Sequence, residues 1–231
     1  MNPQPKFRLQ NRHLVLAESP EASKVAEEVR RMGRAASSKP PAVVEKEARA
    51  HLTRLGCKSP SELQVLANTA IQFGKFQGQT FKWLLENAAG WSVHLLLTMQ
   101  REGEGSNTSQ LGANKGKFKA YAMNFPEVSQ AVRFKGLVEE AMKTVKKTGD
   151  EGHRLLEFGE YEEMTWYDMV TSKEPAHQRY LENFILKKKD VIPGTKMSQF
   201  RAYCLRSVSQ TPVSATTAAV DSGCSEKGWK L

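Results

Sequence analysis

Apolar positions recur at helical spacing over most of the chain and thicken into strand-like runs in two short stretches. After Ser19-Pro20-Glu21, where proline suits a first helical turn, Val25, Val29 and Met32 follow at spacings of four and three. Pro40-Pro41 precedes Val44, Ala48, Leu52 and Leu55 on one face, and Gly56 stands where a helix would stop. Ser59-Pro60-Ser61-Glu62 opens a short helix over Leu63 and Leu66. These patterns predict a helical segment over 20–70, behind a flexible N-terminus at 1–19. In 71–100, Ile71–Phe76 favours a strand, Gln77-Gly78-Gln79 a tight turn, and Phe81–Leu85 a helix; Trp91, Leu95 and Met99 then mark another helix. The Gly-, Ser- and Asn-rich stretch beginning at Arg101 reads as a linker, 101–124, before a connecting helix over 125–150. Phe134, Leu137, Val138, Ala141, Met142 and Val145 give that helix its apolar side, and Lys143, Lys146 and Lys147 suit its C-terminal dipole. Residues 151–206 then repeat the order strand (Leu155–Tyr161), helix start (Thr165–Val170) and helix (from Pro175). A last helix over Lys196–Ser207 ends the segment. The Thr-, Ser- and Ala-rich remainder, 207–231, reads as a disordered tail.

The second half repeats the first in sequence as well as in pattern. Ile71-Gln72-Phe73-Gly74-Lys75-Phe76-Gln77-Gly78-Gln79-Thr80-Phe81-Lys82-Trp83-Leu84-Leu85 aligns without a gap on Leu156-Glu157-Phe158-Gly159-Glu160-Tyr161-Glu162-Glu163-Met164-Thr165-Trp166-Tyr167-Asp168-Met169-Val170, 85 residues on. Phe-Gly recurs, then an aromatic two after the glycine, then threonine, an aromatic and two apolar residues. Internal repeats are sought before other signals, because they set the architecture. Phe73 and Phe158 would anchor a strand face. Phe76 and Tyr161, three positions later, break strict alternation, so Gly74 and Gly159 mark a bulge or close backbone approach. Gly78 suits the turn, and Thr80 and Thr165 are placed to cap the helices begun by Phe81 and Trp166. The fold class expected is α+β, mainly helical, with two small β-hairpin-plus-helix repeat units.

Phe-Gly-Lys-Phe-Gln-Gly-Gln-Thr-Phe (Phe73–Phe81) resembles the Phe-Gly-Lys-Tyr-Lys-Gly-Lys-Thr/Ser module found at the C-terminal end of exodeoxyribonuclease X-like proteins and in small stand-alone bacterial proteins. The second copy departs from it, with Glu160 for the usual lysine and Glu163 for the turn glycine. Its continuation, with Pro175 and Tyr180, is similar to the helix start that follows the family's motif. The resemblance covers about 30 residues of each copy. It implies a small α/β accessory module beside DNA-processing proteins. It implies no catalysis, since the family's catalytic carboxylates lie in a separate domain, and nothing in this chain matches that domain.

Charge refines this picture. The 231 residues carry 34 basic and 25 acidic side chains, a net +9, all of it before Asp150: residues 151–206 hold nine of each sign. Such an excess favours association with polyanions. The candidate nucleic-acid contacts are Lys75, Lys82, Lys115, Lys117 and Lys119, interleaved with Phe76, Phe118 and Tyr121, because exposed rings stack on bases while lysines meet phosphates. Phe76 and Trp83 equally suit a core. Lys187-Lys188-Lys189 and the Arg30-Arg31/Arg34 group suit either nuclear import or solvated helix ends.

Catalytic signatures are few. No phosphate-binding GxxxxGK(S/T), HExxH or GxSxG pattern occurs. His13, His51, His94, His153 and His177 are scattered, so no metal site is expected. Glu157, Glu160, Glu162, Glu163 and Asp168 form an acidic group. Glu160, Glu162 and Asp168 are its candidates for metal-dependent nuclease work, which needs carboxylates converging on ions about 4 Å apart. A solvated acidic turn fits the same residues. Cys57, Cys204 and Cys224 form no disulfide pattern and the start lacks an apolar leader, so a reducing compartment, nucleus or cytoplasm, is expected. No stretch approaches ~18 apolar residues. The function expected is therefore non-catalytic interaction, with nucleic acid or protein as partner, no membrane and no cofactor. The alternatives are the nuclease and a purely protein-binding adaptor.

Overall fold

Five helices of this protein begin where a hydroxyl replaces a missing backbone partner. Ser19 accepts from the backbone N–H of Ala22, Ser61 from Gln64, Thr80 from Trp83, Ser109 from Gly112 and Thr165 from Asp168. Ser61 and Gln64 close a full reciprocal capping box. The computed structural model describes residues 2–33, 37–103 and 109–210. Among them the helices are α1 (Pro20–Met32), α2 (Pro41–Arg54), α3 (Glu62–Ala67), α4 (Phe81–Asn87), α5 (Ala89–Glu102), α6 (Gln110–Ala122), α7 (Pro126–Thr148), α8 (Trp166–Thr171), α9 (Pro175–Tyr180) and α10 (Lys196–Gln210). Leu181–Leu186 continues from α9 as a π-helical turn. The fold is mainly helical, and the chain divides into two units after Lys143, within α7.

The one sheet among the described residues is an antiparallel hairpin of β1 (Leu9–Gln10) and β2 (His13–Leu14), with Leu9 opposite Leu14. Asn11 and Arg12 both take left-handed backbone angles, as a two-residue hairpin turn demands. It lies outside both repeated segments. The expected hairpins at 71–100 and 151–206 are absent. Each segment makes a single antiparallel bridge instead, Ala70 with Thr80 and Leu155 with Thr165. The reason is local. Gly74 (φ 73°) and Gly159 (φ 72°) turn the chain away before a second pair can form, and Gly74–Phe76 closes as a 3₁₀ turn.

In the first unit the core gathers Phe76, Phe81, Leu84, Val93, Phe118 and Tyr121, all fully buried. Phe81 meets Phe118 edge-on at 5.3 Å, and Tyr121 meets Phe125 likewise at 5.1 Å. Two expectations change here. The segment expected to be a linker contains α6, which carries Phe118, Tyr121 and Ala122 into this core; Gly112 and Gly116 interrupt its apolar pattern and hide it. Residues 104–108 of that segment lie outside the described residues. The N-terminus expected to be flexible is tied down. The Tyr121 hydroxyl donates to the Pro3 carbonyl (2.6 Å), the Lys6 N–H donates to Glu86 (2.8 Å), and Phe7 packs edge-on against Phe125. Burial pushes the Tyr121 hydroxyl's pKa up, so it stays protonated as a donor.

Asn114 of α6 is 5% exposed, and its amide serves the first segment from both sides. Its Nδ2 donates to the Ala70 carbonyl and its Oδ1 accepts from the Gln72 N–H, each at 3.0 Å. One side chain thus does for this edge what a neighbouring strand would do.

The second unit closes on Leu156, Trp166, Met169, Ile185, Phe200 and Cys204. Trp166 donates its indole N–H to the Leu155 carbonyl (3.0 Å) and packs on Phe200 and Tyr203. Helix α10 runs to Gln210, beyond the expected start of the tail at 207; the rest of the tail lies outside the described residues.

Replacing Asn114 with alanine removes the partner of two part-buried backbone groups. The expected loss is about 1–3 kcal/mol, read from urea unfolding, and Asn114→Asp, which keeps only the acceptor, should recover part of it.

Candidate functional site

The two Phe-Gly segments share their backbone bonds as well as their residues. Ile71 N–H donates to Gln79 O (2.9 Å), as Leu156 N–H does to Met164 O (3.0 Å). Gln79 N–H donates to Phe76 O (3.1 Å), as Met164 N–H does to Tyr161 O (2.9 Å). Phe81 N–H donates to Thr69 O (2.9 Å), as Trp166 N–H does to Arg154 O (2.8 Å). Each correspondence is offset by the same 85 residues as the sequence repeat.

The glycines meet aromatic rings from the following helices. A Cβ on Gly74 would lie 3.0 Å from Trp91 Cζ2, and one on Gly159 would lie 2.3 Å from the Tyr180 hydroxyl oxygen. The same two rings stand edge-on to the motif aromatics, Trp91 to Phe76 at 5.5 Å and Tyr180 to Tyr161 at 5.0 Å. The segments differ at the turn. Gly78 has left-handed angles and open space, while Glu163 holds that place in the second copy without a positive φ; besides Gly159, the second copy has a left-handed residue at Glu157 (φ 61°), the counterpart of Gln72, tied to Lys196 by a 2.7 Å ion pair.

The motif residues therefore serve architecture. Phe76 is buried, Phe73 lies half-buried against Trp91, and Phe158 is half-buried near Phe200. Thr80 and Thr165 cap α4 and α8, and Trp166 fills the second core.

The five candidate lysines divide. Lys75 pairs with Glu18 and lies over the Phe76 ring. Lys82 pairs with Glu86 one turn along α4. Lys117 reaches Glu45 of α2 at 2.7 Å, and its hydrogen bond, reinforced by Arg49, holds that carboxyl below the usual carboxylate range. These three are neutralised locally. Lys115 lies over the Phe73 ring at 5.6 Å, and neither it nor Lys119 has a carboxylate partner among the described residues. Phe118 and Tyr121, expected as exposed stacking rings, are core.

The acidic group does not converge. Glu160, Glu162 and Glu163 line an open hollow with Tyr161 and Met164. Asp168 faces Thr165 at the start of α8, accepting its hydroxyl proton at 2.6 Å, and Glu157 is held by Lys196. Among the described residues no three His, Cys, Asp or Glu side chains stand together as a metal-holding group. The nuclease alternative lacks the arrangement its chemistry requires.

Sequence reading missed Asn114, Trp91 and Tyr180 as partners of the motif. The partners stand at different distances from the motif in the two copies, so no shared offset signals them. Cys204 is buried in the second core. Burial pushes that thiol up to about 12, whereas Cys57 is half-buried. In a Cys224→Ser background, a thiol reagent at pH 8 should modify Cys57 first, with Cys204 following only as the second unit unfolds; stopped-flow titration with and without urea checks this.

No family model matches the chain, and no curated protein or solved structure matches it either.

Proposed function

We propose that this is a non-catalytic, intracellular interaction protein that associates with nucleic acid, and that its two Phe-Gly segments are divergent copies of one accessory module serving as scaffold. The observation that carries the reading is the distribution of charge. Residues 1–143 hold 21 basic and 13 acidic side chains. The acidic ones near the motif neutralise Lys75, Lys82 and Lys117, leaving Lys115 and Lys119 one turn apart on α6. Gly116 stands between them with open space where a Cβ would be, so a backbone phosphate can come close to the helix.

Three further features support the reading. The Phe73–Phe81 stretch resembles a module associated with DNA-processing proteins. The three cysteines lie far apart in the sequence, which suits a reducing compartment. No helix among the described residues is long and apolar enough to cross a membrane.

Fluorescence anisotropy against single-stranded DNA, duplex DNA and RNA tests it. The expected result is binding that weakens linearly with log salt, and a Lys115→Glu/Lys119→Glu double variant whose salt slope is smaller by about 2. Binding to none of the three, or binding indifferent to salt, contradicts the reading and leaves a protein-binding adaptor.

A further inference from the structure

A second surface, in the unit after Lys143, combines an exposed ring with a run of three lysines. It begins in the core. The His177 ring stands edge-on to Tyr161 at 4.6 Å, Tyr161 edge-on to Tyr180 at 5.0 Å, and Tyr180 leans on Phe184 at 5.6 Å and 31°. Tyr180 is 8% exposed and Phe184 is 60% exposed. The series thus ends with a ring half-stacked on a buried neighbour and open on its outer side. The π-helical turn Leu181–Leu186 carries Phe184, and such turns often re-aim side chains at functional sites.

Lys187, Lys188 and Lys189 follow at once, all exposed. Lys187 lies 3.5 Å from Glu182, with both side chains mostly in solvent, a pairing of little energetic weight. Lys188 and Lys189 have no carboxylate partner among the described residues. The run is held in place: Arg201 of α10 donates Nη2–H to the Leu186 carbonyl (3.1 Å) and Nη1–H to the Lys188 carbonyl (3.0 Å). A fourth cation is thereby fixed beside three lysines, with Glu182 and Asp190 as the acidic neighbours along the chain. Four cations on one short stretch of surface make a local positive field that attracts an anion.

We infer that Phe184 and Lys187–Lys189 form a docking surface for single-stranded nucleic acid, the ring stacking on an unpaired base and the lysines meeting the flanking phosphates. The inference rests on the nucleic-acid reading and gives it a second site and a strand preference. A duplex keeps its bases stacked inside, so the open face of Phe184 has nothing to pair with there. An anionic bilayer would use the lysines too. It would need apolar area to insert, and the large apolar side chains exposed near the run among the described residues are scattered: Phe184, partly engaged by Tyr180, Ile192, and Leu205 one turn after Arg201.

The test measures binding of the full chain to a labelled oligothymidylate, to the matching duplex and to phosphatidylserine vesicles. Wild type, Phe184→Ala, Phe184→Trp and Lys188→Glu/Lys189→Glu are compared, with circular dichroism confirming that each is folded. The expected result is preference for the single strand. Phe184→Ala should weaken that binding roughly tenfold, Phe184→Trp should restore it, and the double variant should lower the salt slope by about 1.4. If wild type binds and these variants bind equally well, this surface is refuted while the Lys115–Lys119 contact stands. If wild type binds neither nucleic acid, both readings fall. Binding to vesicles in preference to the oligonucleotide overturns the inference in favour of a lipid surface.

Discussion

The structure depends on a place where the chain must turn left-handed directly beneath an aromatic ring. At Gly74 and Gly159 the backbone takes angles that side chains rarely adopt, and Trp91 or Tyr180 occupies the volume a Cβ would need. The turn ends strand pairing after one bridge and swings Phe76 or Tyr161 under the same ring. It also delivers the threonine that caps the next helix. Glycine costs conformational entropy on folding, and close ring packing offsets it.

The parts of this unit that follow from local chemistry were legible in the sequence. The 85-residue offset, the special role of the two glycines and the capping threonines all come from residue types at fixed spacing. The hairpins were not real, because two aromatics around a glycine suit a single bridge and a turn as well as they suit two strands. The covering rings were illegible, since Trp91 comes seventeen residues after Gly74 while Tyr180 comes twenty-one after Gly159. Helix α6 was hidden by Gly112 and Gly116, and the tied N-terminus by sparse apolar residues. The pairing of Lys75 and Lys117 was hidden for a related reason. Glu18 and Glu45 lie 57 and 72 positions from Lys75 and Lys117, so pairing that removes them from a binding face leaves no local mark.

The repeated segments place their aromatics in two cores, whereas Lys115 and Lys119 on α6 and Lys188 and Lys189 after the π-helical turn have no carboxylate partner among the described residues. The acidic substitutions in the second copy fit this division. Glu160 and Glu163 border an open hollow, and Glu157 takes a left-handed backbone position with an ion pair to Lys196.

The central claim is that both segments are one physical unit set by a ring over a left-handed glycine. Thermal and urea unfolding of Gly74→Ala and Gly159→Ala, beside Gly78→Ala and Gly149→Ala as left-handed glycines with open space, tests it most directly. The controls should lose only the backbone penalty, about 1–2 kcal/mol, and the first pair about 2–5 kcal/mol because the ring must also move. Equal losses at all four glycines would contradict the account.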